Sequence, residues 1–482
     1  MTENTHGTLV DELLYKAKLI RDESQKSFAC DLLAEFVKQV EQQGNTAGMH
    51  VGPFLGQRIA QIDEVISDQL DEILHHHEFQ TLEGSWRGLS YLVSKTVTSK
   101  TLKLRLLNIT KDELRKDLEK AVEFDQSQLF KKVYEEEYGT FGGNPYSALV
   151  ADFYFGRNPM DIELLEKLSN VAAAAHAPVL AAASPKMFDV ESFEELSVPR
   201  DLTKLFESLE LIKWNSFRNS EDSRYVTLAL PRVLFRLPYD NEKNPAEGIS
   251  FNENVSGADS SRFCWGNPAY ILAERITNAF AMYGWTAAIR GVEGGGIVEG
   301  LPAYTFKSKD GDLALKCPTE TAITDRREKE LSDLGFIALC HCKGKDYAAF
   351  FGAQTVQKPK VYNLDDANAN SSLSARLPYL LAASRFAHYI KVIMRDKVGS
   401  FMTRSNVEMY LNGWIANYVL LNDDAPQSIK AKYPLREARV DVFDVPGKPG
   451  TYRAVVYLRP HFQMEELTAS IRLVATLPPP AK

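Results

Sequence analysis

The chain contains 482 residues, of which 44% are hydrophobic and 25% are charged, a composition typical of a folded globular protein rather than a disordered or fibrous one. Its formal net charge of −8 disfavours non-specific binding to nucleic acids and direct binding to anionic membranes. No apolar stretch is long enough to span a membrane, and no N-terminal secretory signal is visible. The five cysteines are sparse and odd in number. We therefore expect a cytoplasmic protein with reduced thiols.

The N-terminal residues predict amphipathic helices. Thr8 and Asp11 have the spacing of a capping-box start, and apolar residues then recur at helical intervals. Those apolar residues are Leu9, Leu13, Leu14, Ala17 and Ile20. Two further helical patterns follow, at residues 28–40 and 59–74, separated by Gly, Asn and Pro residues. Because these helices precede any strand pattern, residues 1–58 are interpreted as a helical interaction segment, whose first helix either packs on its own domain or lies in a partner's groove.

Residues 59–362 are predicted to form a central α/β domain. Leucines that alternate with basic residues at positions 102–106 predict a half-buried strand. The clearest pattern is a βαβ unit, in which strand Ala148–Phe155 is followed by a helix capped by Asn158 and then by strand Val179–Ala183. Parallel strands need a crossover of this kind, so a mixed sheet with βαβ units is expected.

The second half of this domain repeats the alternation of helix and strand. Helix starts are predicted at Asn267 and at Pro318, and the helix that follows Pro318 ends at Gly335, a residue suited to the end of a helix. Apolar strand patterns then occur at Phe336–Cys342 and Tyr347–Gly352.

A polar segment separates the central domain from the C-terminal one. Residues 363–372 are rich in Asn, Asp and Ser and are interpreted as a linker. Residues 373–482 are then predicted to begin with two long helices, Leu373–Val398 and Arg404–Leu421. The fold class expected is therefore α/β with mixed α+β character: a helical N-terminal appendage, a central mixed sheet, and C-terminal helices followed by antiparallel strands.

The terminal strands present the problem of an open sheet edge. Arg439–Val445 and Thr451–Leu458 alternate around a turn, and Leu467–Leu477 predicts one more strand. An edge strand exposes unpaired N–H and C=O groups, so it either pairs within its own chain or accepts a partner strand. The candidate residues for inter-subunit pairing are Val440, Val442, Val445, Tyr452, Val456, Leu458 and Ile471.

Motifs that could carry chemistry are weak. Gly291–Gly300 is rich in glycine but lacks the spacing of a phosphate-binding loop, and its two glutamates would repel a phosphate. In Cys340–Cys342 the central histidine would face away from both cysteines on a strand, and His75–His77 lack the spacing for one ion. No hydrolase, metalloprotease or β-lactamase signature occurs. We therefore expect no catalytic residue, cofactor or metal.

Five blocks of the sequence resemble one family closely. They are Phe79–Val93, Asp152–Phe188, Cys264–Ile276, Pro318–Lys360 and Arg376–Gly399. All five resemble the TssC/VipB family, the large subunit of the contractile sheath of bacterial type VI secretion systems. The resemblance extends from about Ile59 to the C-terminus, while the first fifty residues agree only in helical character.

The resemblance implies a phage-tail-sheath-like fold and a structural function rather than an enzymatic one. Such subunits pair with the small subunit TssB, polymerise on a baseplate around an inner tube of Hcp, and contract to propel the tube and its effectors into a target cell. Terminal strands of neighbouring subunits join in shared sheets. The unfoldase ClpV then recycles the contracted sheath by gripping an N-terminal helix, for which Leu9, Leu13, Leu14, Ala17 and Ile20 would be the contact face here.

An alternative from another functional class remains open at this point. An α/β enzyme or binding protein could use Gly291–Gly300 to hold a nucleotide or a phosphate ester. The two hypotheses differ in what they require of the chain. A sheath subunit needs borders that its neighbours complete, whereas a phosphate-binding loop needs free backbone N–H groups and a following helix.

Overall fold

The computed structural model describes most of the chain. The described residues are 22–42, 51–257, 259–307, 311–400, 402–448, 451–461 and 463. These described residues fall into two compact units, the first comprising those up to 72 together with 239–253, and the second comprising those from 73 to 238 together with those from 254 onward. No helix in the described ranges is both long enough and apolar enough to cross a membrane.

The first unit contains two amphipathic helices. α1 spans Lys26–Gln42 and α2 spans Val51–Leu74, the last two residues of α2 belonging to the second unit. Both helices were predicted from their periodicity, and both are confirmed. Large apolar side chains on them are exposed, namely Phe28, Leu32, Val37, Ile59, Ile62 and Val65. In segment 239–253, Asp240 and Asn244 exchange two backbone hydrogen bonds of 3.0 and 3.1 Å.

The second unit contains the remaining helices. They are α3 (His77–Lys95), α4 (Lys111–Lys120), α5 (Gln128–Phe130), α6 (Pro159–Ala175), α7 (Leu202–Phe206), α8 (Ile212–Asn219), α9 (Ala269–Tyr283), α10 (Asp325–Asp333), α11 (Asp365–Ser374), α12 (Leu377–Asp396), α13 (Arg404–Ile415) and α14 (Gln427–Lys432). A π-helix, Lys131–Tyr138, continues α5. Short 3₁₀ turns of this unit lie at Phe124–Gln126, Pro185–Phe188, Phe193–Ser197, Leu209–Leu211, Asp222–Tyr225, Ser260–Arg262 and Ala416–Tyr418, and one more, Glu23–Gln25, lies in the first unit.

Twelve strands are described, all in the second unit. They are β1 (Leu149–Phe155), β2 (Val179–Ala183), β3 (Val226–Leu230), β4 (Val233–Arg236), β5 (Cys264–Gly266), β6 (Ile297–Val298), β7 (Tyr304–Lys307), β8 (Leu313–Lys316), β9 (Phe336–His341), β10 (Ala348–Phe350), β11 (Leu435–Asp444) and β12 (Tyr452–Pro460). The central sheet has the order β1-β2-β3-β9-β10-β6. Its first four strands are parallel, and β10 and β6 are antiparallel to their neighbours. Three further antiparallel pairs, β4–β5, β7–β8 and β11–β12, complete the mixed architecture that was expected.

The βαβ unit at the start of the central sheet is confirmed. The Asn158 side chain accepts a hydrogen bond of 3.1 Å from the Met160 N–H, and a proline occupies the first turn of α6. α6 ends at His176, whose left-handed backbone lets the chain turn back. The chain then enters β2, which runs parallel to β1. Local capping chemistry therefore sets both ends of the crossover helix.

Apolar cores cover both faces of the central sheet. Along β9, Phe336, Ala338 and Cys340 belong to one core, and Ile337 and Leu339 belong to the other. This division follows from the alternation of side chains along a strand. Helix α6 contributes to the first core and helix α9 to the second, so the sheet lies between helical layers.

Two predicted elements of the central domain are wrong. Residues 102–106 form no strand, because the segment is held by side chains: Lys103 donates to Asn144, and Arg105 pairs with Glu137. Helix α10 begins at Asp325 rather than near Pro318.

The late start of α10 follows from the groups just before it. Thr319 is buried and bridges to β4, and the adjacent Glu320 carboxylate binds Arg232. The side chain of Thr324 then caps the helix. The predicted end is right, since Gly335 has a left-handed φ of 87°.

Residues 363–372, interpreted as a linker, are not an irregular loop, because helix α11 covers Asp365–Ser374. Two aspartates in its first turn favour the N-terminus of a helix. The Asn368 side chain adds two hydrogen bonds, of 2.6 and 2.9 Å, to the backbone of Tyr362. A polar composition therefore marks an exposed helix here and not an unstructured connection.

The C-terminal helices and strands build a core of their own. The predicted long helices are confirmed as α12 and α13, each shorter than its pattern. Trp285 stacks on Phe386 with ring centroids 4.5 Å apart, and three residues of α13 face Val440 and Val442 of β11. Those residues of α13 are Val407, Leu411 and Ile415. This core places the β11–β12 pair, called the C-terminal hairpin below, against α12 and α13.

A buried histidine joins α12 to the central domain. His388 is 2% exposed, and its Nε2–H donates a hydrogen bond of 2.8 Å to the carbonyl of Ala175 at the end of α6. Burial, together with the nearby Arg385, His176 and Lys391, lowers the pKa of His388 to about 4 against the opposing effect of the Ala175 carbonyl. Burial and the neighbouring cationic side chains therefore favour the neutral imidazole at this site.

Acidification is expected to loosen α12. The folded chain binds the His388 proton less tightly than the unfolded chain, so the stability from this site is complete above pH 6.5 and is lost as the pH falls toward 4. The opening free energy of α12, measured by hydrogen exchange with correction for intrinsic rates, should fall by about 2 kcal/mol between pH 7.5 and 5. His388→Gln keeps an N–H donor without titrating, and it should remove most of this decrease. An identical decrease in the variant would contradict the assignment, since His176 titrates in both proteins.

Candidate functional site

The C-terminal hairpin is the sequence-predicted site that the structure describes. β11 and β12 are antiparallel, with Ala438 opposite Leu458 and Asp444 opposite Tyr452. Val440 and Val442 are buried against α13, and Val456 and Leu458 pack against the same core from β12. The inner face of the hairpin is therefore anchored, and its two outer edges decide whether another strand can be added.

The outer edge of β11 is closed by side chains of α13. Asn412 donates a hydrogen bond of 2.7 Å to the Val440 carbonyl and accepts one of 2.9 Å from the Val440 N–H. Glu408, one helical turn earlier, accepts a bond of 3.3 Å from the Val442 N–H. Near the start of β11, the Leu420 N–H donates to the Leu435 carbonyl at 2.8 Å. An incoming strand would have to displace these groups.

The outer edge of β12 is open in the described part of the chain. Val440 lies opposite Val456, and both of its backbone groups bond to Asn412 instead of to β12. Val440 and Val456 are therefore a non-hydrogen-bonded pair of the antiparallel ladder. In such a pair the N–H and C=O groups of Val456 point away from β11. Because the pattern repeats every second residue, the same holds for Tyr452, Ala454 and Leu458. No described residue hydrogen-bonds these outward groups. The hairpin thus has one edge, that of β12, to which another strand could be added, and this edge is called the acceptor edge below.

The outer face of the hairpin carries paired and unpaired charge. Arg439 contacts Asp441 at 2.9 Å, and its guanidinium lies over the Tyr457 ring at 4.8 Å. Arg459 contacts Glu437 at 3.2 Å. Arg453 is exposed on β12, and among the described residues no carboxylate pairs with it. A strand added to β12 would therefore meet a basic outer face.

The predicted site residues fall into three groups. Val440 and Val442 lie in β11, Tyr452, Val456 and Leu458 lie in β12, and Val445 lies one residue beyond β11. All five strand residues hold the hairpin to the helices through their side chains, and it is the backbone of β12 that forms the open edge. Six predicted residues lie outside the described part of the chain: Leu9, Leu13, Leu14, Ala17, Ile20 and Ile471. The predicted strand Leu467–Leu477 also lies outside it.

Sequence reasoning missed Glu408 and Asn412. Their i, i+4 spacing places both on one side of α13, which was the available signal. Nothing in the sequence says that this side meets a strand edge, because the packing of α13 on β11 is a tertiary contact. Their role in closing that edge emerges only from the folded arrangement.

The glycine-rich loop does not have the features of a phosphate site. The Gly291 N–H donates to the Phe350 carbonyl at 2.7 Å, and the Gly296 N–H donates to Gly291 at 2.9 Å. Strand β6 lies within the loop, and the next element after it is strand β7 rather than a helix. A Cβ on Gly296 would lie 2.6 Å from the Phe350 carbonyl oxygen, so close backbone packing explains this glycine. The alternative function therefore loses its proposed binding element.

An open cleft lies where ligands commonly bind in α/β proteins, at the carboxyl ends of β1 and β2. Its lining holds five carboxylates and two cations, and one of the cations, Arg157, is already paired. Arg157 contacts Asp189 at 2.6 Å and Glu210 at 3.1 Å, and the neighbouring Lys111 contacts Asp161 at 2.7 Å. The described side chains also include no group of three or more His, Cys, Asp or Glu placed to hold a metal ion. The arrangement gives no support to a phosphate or metal centre.

Comparisons with known proteins agree on one family. The model for the EvpB/VC_A0108 tail sheath N-terminal domain (VipB) matches residues 56–357, and the model for the tail sheath gpW/gp25-like domain (VipB_2) matches residues 366–477. The Type VI secretion system sheath protein TssC1 of Pseudomonas aeruginosa PAO1 is 52% identical over 426 residues, which are 87% of this chain and 85% of that protein.

Solved structures show only distant likeness. A chain of the anti-feeding prophage baseplate matches 65% of this chain and 66% of its own length, with 11% identity and a TM-score of 0.35. A chain of the contracted sheath complex of the extracellular contractile injection system PVC matches 64% and 68%, with 8% identity and a TM-score of 0.36. The sequence matches decide the family, and the chain belongs to the TssC/VipB family of type VI secretion system tail sheath proteins.

Proposed function

We propose that this chain is the large subunit of a type VI contractile sheath, which pairs with TssB and polymerises on a baseplate around an Hcp inner tube. Contraction of the polymer then propels the tube and its effectors into a target cell. Family membership across both matched regions supports the proposal. The observation that carries it is the open edge of β12 on a hairpin that is otherwise fully anchored.

A single open edge suits a polymer. Asn412 and Glu408 occupy the edge of β11, so a neighbour's strand adds only to β12. The donor strand and the acceptor edge are then different surfaces of the subunit, and such head-to-tail contacts generate open helical assemblies when they do not close into a ring. We propose that terminal strands of neighbouring subunits, including the segment around Ile471, fill this edge.

The chemistry of the β12 edge restricts the strand that fills it. Tyr452, Val456 and Leu458 present half-buried apolar side chains on the inner face, and Arg453 is exposed on the outer face. A matching strand alternates apolar residues on one face with polar or acidic residues opposite Arg453 on the other. Main-chain hydrogen bonds would supply affinity, and this alternation would supply register.

The proposed subunit does mechanical work without a reaction of its own. Its bodies rotate rigidly between an extended lattice and one with better contacts, so energy is stored during assembly. ATP is spent by ClpV, which extracts subunits through the N-terminal helix whose apolar residues are Leu9, Leu13, Leu14, Ala17 and Ile20. We place this cycle in the bacterial cytoplasm.

Ala454→Pro tests the acceptor edge. The Ala454 N–H points away from β11, so proline removes a donor for the incoming strand without removing a bond inside the hairpin. We expect the variant, co-expressed with TssB, to form the heterodimer but no long sheaths by negative-stain microscopy.

The matched control is Ala454→Ser, which keeps the N–H at the same exposed position and should form sheaths of ordinary length. Near-ultraviolet circular dichroism checks that both variants keep the packed hairpin. Sheaths of ordinary length from a correctly folded Ala454→Pro variant would show that β12 does not accept the connecting strand.

A double substitution tests the N-terminal helix. Leu13→Asp with Leu14→Asp places charges on its apolar face, which should abolish binding to ClpV in a pull-down while sheaths still assemble. Lys16→Asp with Lys18→Asp changes charge without removing apolar side chains and serves as the control. If the leucine variant fails to assemble, the helix is part of the packed body and is not the unfoldase contact.

A further inference from the structure

The chain is bound again immediately after it leaves β12. The His461 N–H donates a hydrogen bond of 3.2 Å to the Pro434 carbonyl, just before β11. The Gln463 N–H donates one of 3.1 Å to the Tyr379 hydroxyl oxygen, and the Gln463 side-chain amide donates one of 3.0 Å to the Ala287 carbonyl. These hydrogen bonds therefore fix the point from which residues 464–482 continue.

The partners of Gln463 lie outside the hairpin. Tyr379 is in the first turn of α12, a helix that His388 bonds to the end of α6. Ala287 follows α9, and α9 packs on the central sheet as part of one of its two cores. The two hydrogen bonds of Gln463 therefore connect the end of the hairpin to parts of the fold that are held in place without it.

A force on residues 464–482 would reach β12 first if Gln463 were not bound. The last pairs of the hairpin join Tyr457 to Arg439 and Arg459 to Glu437. A strand that is pulled at its end separates one pair at a time, because the loss of each pair exposes the next, and strand ends open more easily than strand centres. The Gln463 bonds lie between the source of such a force and these pairs.

The opposite end of β12 is also held. The Tyr452 hydroxyl donates a hydrogen bond of 3.3 Å to the Met402 carbonyl, and the Tyr452 side chain packs in the C-terminal core. The acceptor edge, from Tyr452 to Leu458, therefore lies between two points at which the chain is bound to the body. This arrangement keeps the edge straight and its register constant for an incoming strand.

We propose that Gln463 is the anchor of the C-terminal segment, so that force on residues 464–482 passes into α12 and the segment after α9 instead of into β12. The inference rests on the proposed function, in which terminal strands join neighbouring subunits. Each subunit then donates a strand from its C-terminal segment and accepts another along β12. Gln463 is a positioning residue that keeps these two connections mechanically separate.

Hydrogen exchange tests the anchor in the full-length chain, both alone and co-expressed with TssB. Gln463→Leu removes the amide that bonds Ala287 and keeps a side chain of similar size. Because the end of β12 then opens with one hydrogen bond fewer to break, we expect the amides of Tyr457 and Arg459 to exchange about fivefold faster. The amide of Arg453, near the other end of β12, should exchange at the wild-type rate.

Two matched variants separate the hydrogen bond from the change of side chain. Gln463→Lys restores an N–H donor of similar reach, and it should return the exchange of Tyr457 and Arg459 toward the wild-type rate. Gln427→Leu makes the same substitution at an exposed glutamine of α14 that lines the same groove as Gln463, and it should change neither rate.

Sheath length is the second readout. With TssB, the Gln463→Leu chain should form heterodimers but sheaths about threefold shorter by negative-stain microscopy, and Gln463→Lys should restore their length. Unchanged exchange at Tyr457 and Arg459, or sheaths of ordinary length from Gln463→Leu, would overturn the proposal. Absence of sheaths from the wild-type chain would instead contradict the proposed function, and hydrogen exchange would still decide whether Gln463 anchors the end of β12.

Discussion

Every N–H and C=O group at the edge of a sheet needs a partner, and this requirement organises the molecule. At the edges of the central sheet little backbone is left open: Lys111 donates to the Tyr154 carbonyl of β1, and the opposite edge strand, β6, has only two residues. In the hairpin, Asn412 satisfies β11. Among the described residues, nothing occupies the edge of β12, so the hairpin is closed along one edge and open along the other.

For the sheath function we propose, the hairpin must be firmly joined to the central domain, and α12 makes that joint. His388 bonds the end of α6, and Arg395 donates two hydrogen bonds of 2.6 Å to the carbonyls of Tyr138 and Thr140 at the end of the π-helix. Lys391 lies 3.5 Å from the centre of the Tyr138 ring. Polar and cation–π contacts of this kind fix the orientation of a helix more sharply than apolar packing does. A force applied at β12 is therefore transmitted to the central domain.

Features that depend on neighbouring residues were predictable from the sequence, whereas features that depend on contacts between distant segments were not. The cap at Asn158 and the alternation in β11 and β12 depend on neighbouring residues, and they were anticipated correctly. The strand expected at 102–106 fails because a strand needs a partner backbone, which a single segment cannot reveal. The edge-closing role of Asn412 was invisible for the same reason, since it depends on where α13 packs.

Main-chain hydrogen bonds between strands do not depend on how the rest of the two subunits is packed, unlike contacts between side chains. Each of Tyr452, Ala454, Val456 and Leu458 offers one donor and one acceptor, and each hydrogen bond contributes about 0.5–1.5 kcal/mol net. These bonds depend only on the two backbones that form them, so they persist while the attached bodies rotate and exchange their side-chain contacts. In the sheath we propose, a subunit joined to its neighbour through β12 would therefore change its packing without dissociating, as contraction requires.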